Sequence, residues 1–364
     1  MTKYELGNIL IYEQPTKYIV KSENYDDAFA TPVLTPGQTF ILGYTNETDG
    51  IYSAPLPVII FDDFTTATKL VNFPFKVKSS AMKILKPASD KVYIPYWYYY
   101  LSSLKVDNGL HKRYWISTFA NRQISAPSFP EQKRIATLLD KVQELIAKQK
   151  EQIAKLDLLI KSRFLDMFGD PISNPKKWVM KKLKECARTN LSYGSGAKAV
   201  NYNGTVRYIR ITDIDNQGLL NKEKKSPSIF EEKYLLHQGD LLFARTGATV
   251  GKTFLYDKKY GMSVYAGYLI RFVPKIDLCH PLFVFYFTHT DYYKQFVLDK
   301  QKAVAQPNIN AQEYGELLIP LPPLSLQTQF TNFVKSVEQQ KEVFSARLSH
   351  LEILYKSLMQ EYFG

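Results

Sequence analysis

The stretch ARTGATVGKT, Ala244–Thr253, is the part of this chain that comes nearest to a catalytic loop. Glycines ahead of a Gly-Lys pair can curl backbone N–H groups around a phosphate, but that cradle needs four residues between its first glycine and the pair. Gly247 and Gly251 enclose only Ala248, Thr249 and Val250, and no acidic strand stands out as a magnesium partner. Nucleotide hydrolysis is therefore disfavoured, and a glycine-shaped turn between two strands is the better reading. Other chemistry has less support. Asp62-Asp63 is a paired carboxylate at the end of an apolar strand, where capping a turn is the better reading than binding metal. Glu231-Glu232-Lys233 lacks an upstream acidic partner for a nuclease centre. The five histidines do not gather with cysteines or carboxylates at ligand spacing. Cys186 and Cys279 make neither a metal knuckle nor a disulfide framework, and fit a reducing cytoplasm. An Asn-Pro-Pro-Tyr motif for methyl transfer is missing, as is a glycine-rich cofactor loop behind a first strand. The sequence nominates no catalytic residue, no metal ligand and no cofactor.

Two long amphipathic segments must position whatever the chain does use. Residues 126–169 and 321–364 align without gaps at a constant offset of 195, as Gln132 to Gln327 and Phe168 to Phe363 illustrate. Identities also fall at Pro127/Pro322, Val142/Val337, Leu156/Leu351, Leu159/Leu354, Lys161/Lys356, Ser162/Ser357 and Gly169/Gly364. A register kept over that length marks an internal repeat. Apolar residues step by three and four through Leu139, Val142, Ile146, Ile153, Leu156 and Ile160, then through Val334, Val337, Phe344, Leu348, Leu351, Tyr355, Leu358 and Tyr362. That stripe predicts a coiled-coil seam, interrupted by polar Gln149 and Lys341. Prolines at the start of both segments (Pro130; Pro322 and Pro323) and the glycines that end them, Gly169 and Gly364, are start and stop signals. About 33 helical residues would span roughly 50 Å. Antiparallel pairing would set the globular pieces at opposite ends of a rod related by a pseudo-dyad. Two unrelated amphipathic helices on separate cores are the alternative.

The fold expected is α+β: two mixed globular domains separated by two long antiparallel coiled-coil helices. The boundaries read as a first domain over 1–125, a helix over 126–169, a second domain over 170–320 and a second helix over 321–364. PVIIF and GQTFILGY predict strands in the first domain, with a helix near YIPYWYYYLSSL. RYIRITDI, DLLFAR, KTFLY and YAGYLIRFV predict strands in the second, followed by a helical PLFVFYFTHTDYYKQFVL. The domains share little sequence apart from Phe119/Tyr314 and Ile124/Ile319 at the same offset. A net charge of +12 and an isoelectric point near 9.3 favour a polyanionic partner, against the alternative of a merely soluble basic surface. The N-terminal stretch carries charges throughout its apolar part, unlike a signal peptide, and no apolar run reaches membrane-spanning length. A soluble, cytoplasmic protein without membrane contact is expected.

In order along the second half stand YIRITDID, GDLLFARTGATVGKT, YAGYLIRF, QPNINAQEY and IPLPPL, followed by a long helix bearing a glutamine. The first half has YEQPTKYIV, FDDFTTATKLVNFPFKVKSSAMKIL and FPEQKRIA. Together these resemble the specificity subunits of type I restriction–modification enzymes, over essentially the whole chain. The second helix departs from the common Glu-Glu-Gln opening, having Ser325-Leu326-Gln327. The resemblance implies a non-catalytic subunit whose two target-recognition domains each read half of a bipartite, asymmetric site in double-stranded DNA. It implies helices that act as a ruler for the unspecified spacer, and recruitment of two methyltransferase subunits and of restriction/translocase subunits.

Candidate DNA contacts follow from residue chemistry on that frame. Arg245 and Lys252, with Thr246 and Thr249, are candidates for phosphate contacts around the glycine turn. The alternative is a plain hairpin in which Arg245 pairs with a carboxylate such as Asp240. Arg210, Thr212 and Asp213 could reach base edges, arginine suiting guanine and aspartate accepting from cytosine; alternate facing on a strand is the plainer reading. Tyr193, Ser195 and Lys198 form a polar loop that is either a contact or an idle turn. Gln306, Asn308 and Asn310 carry amides suited to adenine, or serve turn chemistry. In the first domain the candidates are Thr65, Thr66, Thr68 and Lys69, then Lys76, Lys78 and Ser79, with Lys112 and Arg113 behind them. For any single lysine, a solvated surface charge is the competing reading.

Overall fold

A computed structural model of the chain describes residues 3–36, 39–104, 113–301 and 308–364. It divides into two compact units, residues 1–150 with 346–364 and residues 151–345. Both divisions fall inside the long helices, Phe129–Phe168 and Leu324–Phe363, which are 40 residues each and keep the 195 offset at both ends. At 1.5 Å per residue each is about 60 Å long, more than the sequence suggested.

In the first unit a four-stranded antiparallel sheet runs in the order Leu10–Glu13, Met82–Pro87, Val58–Asp62, Thr68–Val71. A second sheet joins Ile41–Thr45, Thr31–Leu34 and Lys76–Val77, the last pair parallel. The run Val58–Phe61 shows no polar alternation because both faces of its sheet are covered. Ile59 and Phe61 pack with Trp97, Trp115 and Phe119 on one side. Val58 and Ile60 pack with Tyr52, Phe75 and Val77 on the other. The strand Lys3–Glu5 pairs with Gln123–Ser125, which leads into the first long helix. That helix buries Ile135, Ala136 and Leu139 in the unit's core, with Tyr355, Leu358 and Phe363 packed alongside. Arg134 over the Tyr362 ring at 5.6 Å, the Gln143–Tyr355 hydrogen bond at 2.9 Å and the Lys150–Glu352 ion pair at 3.2 Å fix an antiparallel pairing here.

The second unit repeats this plan. Its four-stranded antiparallel sheet has the order Ser192–Tyr193, Leu269–Phe272, Leu241–Ala244, Thr253–Leu255, and Arg207–Ile209 lies parallel to Ser263–Tyr265. Leu241 and Phe243 face one core with Phe283 and Tyr314, while Leu242 and Ala244 face another with Ile209 and Tyr265. Val179–Lys182 pairs with Leu318–Leu321, ahead of the second long helix. Antiparallel pairing recurs through Lys341–Asp157 at 2.6 Å and Phe164–Phe330 with ring centres 5.5 Å apart. Gln149 in the first unit is buried and its amide nitrogen has no partner among the described residues, whereas Lys341 is held by Asp157 and Glu338.

Three sequence expectations shorten. RYIRITDI is strand only to Ile209, because the Asp213 carboxylate accepts from the Arg210 N–H at 2.9 Å and closes a 3-10 turn over Ile211–Asp213. YAGYLIRFV breaks at a turn in which the Leu269 N–H donates to the Ala266 carbonyl at 2.9 Å. The helical run after Pro281 splits into Pro281–Phe287 and Asp291–Gln301, where the hydroxyls of Thr288 and Thr290 donate to the carbonyls of Phe285 and Phe287. Among the described residues no helix is long and apolar enough to cross a membrane.

Candidate nucleic-acid interface

The glycine turn of the second unit is a hairpin connection between Leu241–Ala244 and Thr253–Leu255. Gly247 and Gly251 sit at φ of 64° and 86°, the left-handed region that side chains resist. Three of its amides are used inside the turn. Val250 donates to the Gly247 carbonyl at 3.1 Å, Gly251 to Ala244 at 3.0 Å and Lys252 to Thr249 at 3.0 Å. The Lys252 ammonium donates to the Ile214 carbonyl at 3.1 Å. These bonds tie Val250, Gly251 and Lys252 back into the turn and onto the Ile214 carbonyl, the arrangement of a shaped hairpin connection. Two tyrosines hold the base of the turn: Tyr314 donates to the Ala244 carbonyl at 2.8 Å and Tyr293 to that of Gly251 at 3.0 Å. Burial pushes both phenols up, so they remain donors.

At the mouth of this hairpin the structure brings four nominated residues together. The Arg245 guanidinium lies 4.7 Å from the centre of the exposed Tyr193 ring. Its Nε donates to the Asn308 amide oxygen at 3.2 Å, and Thr246 forms a bridge with Asn308. The Arg245 main chain is pinned at both ends, its N–H donating to Tyr268 at 3.1 Å and its carbonyl accepting from Ile309 at 2.9 Å. The expected alternative partner, Asp240, is occupied elsewhere. It accepts from Arg271 at 2.7 Å and from the His237 N–H at 2.7 Å. Burial pushes its carboxyl up, opposed by those two donors.

Other candidates in this unit are engaged in the fold. Asp213 is corrected: it is buried, and its oxygens accept from Arg210 at 2.6 and 3.1 Å, so it presents nothing to a base edge. These hydrogen bonds push the Arg210 guanidinium up. Ser195 is corrected too, being buried with its carbonyl taken by the Tyr208 hydroxyl at 2.7 Å. Asn310 caps the short helix Ala311–Gly315, accepting from the Glu313 N–H at 2.9 Å. Thr249 donates to the Thr246 carbonyl at 3.0 Å. Lys198 and Thr212 are exposed. Gln306 lies outside the described residues.

In the first unit the corresponding hairpin joins Val58–Asp62 to Thr68–Val71. Thr65 donates to the Asp62 carboxylate, Thr68 shares a hydrogen bond with Ser102 at 3.0 Å, and Thr66 sits at a φ of 61°. Lys69 is exposed, 5.9 Å from the Phe40 ring centre. Lys78 pairs with Glu23, the Ser79 hydroxyl accepts from the Ala81 N–H, and Arg113 is exposed. Lys76 is a correction. It is 1% exposed, with its ammonium on Glu47 at 2.8 Å and the Asp49 carbonyl at 2.7 Å, so it stabilises the fold rather than meeting a phosphate. Lys112 lies outside the described residues.

The sequence reading missed what the repeated glutamine does. Gln132 accepts from the Tyr93 N–H at 2.9 Å and the Trp97 indole at 3.1 Å, and donates to the carbonyls of Lys91 and Pro127. Gln327 accepts from the His280 N–H at 2.8 Å and donates to Leu278 and Pro322. Tyr93 and His280 are the N-caps of Ile94–Ser103 and Pro281–Phe287. The same clamp thus ties each long helix to the start of an earlier helix of its unit. The identity at the repeat offset was the available signal.

Comparison with known proteins places residues 175–352 in the type I restriction modification DNA specificity domain. The chain is 39% identical over 269 residues to the Escherichia coli type I restriction enzyme EcoR124I/EcoR124II specificity subunit, covering 70% of this chain and 64% of that protein. It is 25% identical over 266 residues to the Methanocaldococcus jannaschii type I restriction enzyme MjaVIII specificity subunit, covering 66% of this chain and 61% of that one. The chain thus matches less than two thirds of the length of either curated relative. In fold it is similar to the crystal structure of a type I restriction-modification system S subunit from M. genitalium. There the TM-score is 0.68 at 15% identity, over 100% of this chain and 96% of the other.

Proposed function

We propose that this chain, which belongs to the type I restriction modification DNA specificity family, is a sequence-specific DNA-binding subunit without chemistry of its own. Each globular domain, 1–125 and 170–320, reads one half of a bipartite, asymmetric target in double-stranded DNA. The helices within 126–169 and 321–364 set the unspecified spacer and dock two methyltransferase subunits, which restriction/translocase subunits join in a cytoplasmic complex. The observation that carries this reading is a repeated scaffold bearing unlike hairpins. The same sheet order, clamp glutamine and long helix occur in both units, while the hairpin connections from a central strand to the edge strand differ in length and chemistry. A net charge of +12 supports a polyanionic partner. The DNA contacts we propose are Thr65, Thr66, Thr68, Lys69, Lys78, Ser79 and Arg113 in the first domain. In the second they are Tyr193, Lys198, Arg210, Thr212, Arg245, Thr246, Thr249, Lys252 and Asn308.

The test is an exchange. Residues 170–320 are replaced by the matching segment of another specificity subunit, the chimera is expressed with its methyltransferase partner, and methylated sites are sequenced. One half of the target should change while the other half stays. A change in both halves, or an unaltered target, would overturn independent readers.

A further inference from the structure

We infer that Arg245 reads a guanine edge in the half-target of the second unit, with Tyr193 and Asn308 as its positioning residues. This rests on the DNA-recognition reading and goes beyond it, because the sequence offered Arg245 only as a phosphate contact. An arginine that neutralises phosphate needs charge and reach, and gains little from a held plane. One that reads guanine needs two N–H groups presented side by side to N7 and O6. Arg245 meets the second requirement. Its guanidinium carbon is held over the Tyr193 ring, 4.7 Å from the ring centre, and its swing is checked by the Nε hydrogen bond to Asn308 at 3.2 Å. Tyr193 is itself steadied, its hydroxyl accepting from the Ala311 N–H at 3.1 Å. With Nε claimed, the remaining donors are the two terminal nitrogens, which have no hydrogen-bond or ion-pair partner among the described residues.

The neighbouring cations lack this arrangement. Arg210 is closed on Asp213 through Nε and Nη2, and the Lys252 ammonium is held by the Ile214 carbonyl. A pinned main chain at Arg245, bonded to Tyr268 and Ile309, further limits where the guanidinium can travel. Orientation is thus established before DNA arrives, which is what base discrimination requires.

The experiment selects bound sequences from a library of randomised DNA duplexes, using the full chain assembled with its methyltransferase subunits, for wild type, Arg245→Ala, Asn308→Ala and Tyr193→Leu. Arg245→Ala should lose roughly 10- to 100-fold discrimination at one G·C position of one half-target, the scale of a bidentate contact. Every other position should hold, as should the slope of log affinity against log salt. Asn308→Ala and Tyr193→Leu should weaken preference at that same position and at no other, an effect that mere destabilisation would not confine. Uniform weakening on all sequences, with the salt slope reduced by about 0.9, would instead make Arg245 a phosphate contact and overturn the inference. So would full retention of specificity in Arg245→Ala. A wild-type assembly that selects no sequence at all would defeat the broader DNA-recognition reading instead, a result separable from the others.

Discussion

The central hairpins of the two units begin from the same strand pairing and end in opposite chemistry. In the second unit the connection from Arg245 to Lys252 is shaped by Gly247 and Gly251 and held from beneath by Tyr293 and Tyr314. In the first, the shorter connection after Asp62 is held by carboxylates. Asp62 accepts from the Phe64 N–H at 2.9 Å, and Asp63 accepts from the Trp115 N–H at 2.9 Å while pairing with the buried Lys83 at 3.3 Å. One position shows how the switch is made. Tyr314 and Phe119 stand at the repeat offset and pack on Phe243 and Phe61, but only the tyrosine has a hydroxyl to support a longer loop. The core of a unit is thus common property, and its hairpin is free to diverge.

The clamp glutamines test how far the common property extends. Gln132 and Gln327 are both buried, and a leucine at either place would leave polar groups unpaired. Gln132→Leu orphans two donors, the Tyr93 amide and the Trp97 indole, and should cost about 4 kcal/mol at ~1–3 kcal/mol per unsatisfied group. Gln327→Leu orphans the His280 amide alone among donors and should cost about 2 kcal/mol by the same rule. Denaturant unfolding of the two variants measures both; equal losses well below 1 kcal/mol would deny the clamp its role.

Much of this architecture was legible before any coordinates. The offset of 195 located both long helices to within a few residues, because apolar spacing and flanking prolines and glycines report helix ends directly. The apolar strands were equally visible. What stayed hidden was side-chain capture. Nothing in RITD says that Asp213 turns back on Arg210, and nothing in FKVK says that Lys76 is inward while Lys78 is not. Such facts depend on partners distant in sequence, as Glu47 is from Lys76. Polar residues were therefore nominated by type, and the fold withdrew Asp213, Ser195 and Lys76, which it buries. Arg245 illustrates the converse. Its neighbours Tyr193 and Asn308 were each nominated from separate segments, and only folding shows that they form one cluster.

The glycine-built hairpin should also be the more brittle. A Cβ on Gly251 would lie 2.7 Å from the Val297 side chain, on a backbone already at a φ of 86°. Gly251→Ala should cost about 2 kcal/mol from left-handed strain of ~1–2 kcal/mol plus crowding. Gly247→Ala, at a φ of 64° with open space around it, should cost about 1 kcal/mol from the strain alone. Thermal unfolding of the pair reads the difference, and a Gly247→Ala loss as large as that of Gly251→Ala would remove Val297 from the account.

The smallest effect is the reverse substitution in the first unit. Thr66 adopts a φ of 61° without being glycine, and its N–H still donates to the Asp62 carbonyl at 3.0 Å. A β-branched residue resists that conformation, so Thr66→Gly relieves ~1–2 kcal/mol of strain in the native chain. Against this, glycine gives the unfolded chain more freedom to lose, about 0.5–1 kcal/mol. The net expectation is a gain of about 0.5 kcal/mol. Strain of this kind persists where a side chain is wanted in a particular direction. If Thr66 contacts DNA, Thr66→Gly will therefore bind more weakly while melting slightly higher, a divergence that no purely structural role for this threonine produces. Lower stability together with unchanged binding would instead assign Thr66 to the fold, and would leave the first hairpin without the hydroxyl contact that the second replaces with Arg245.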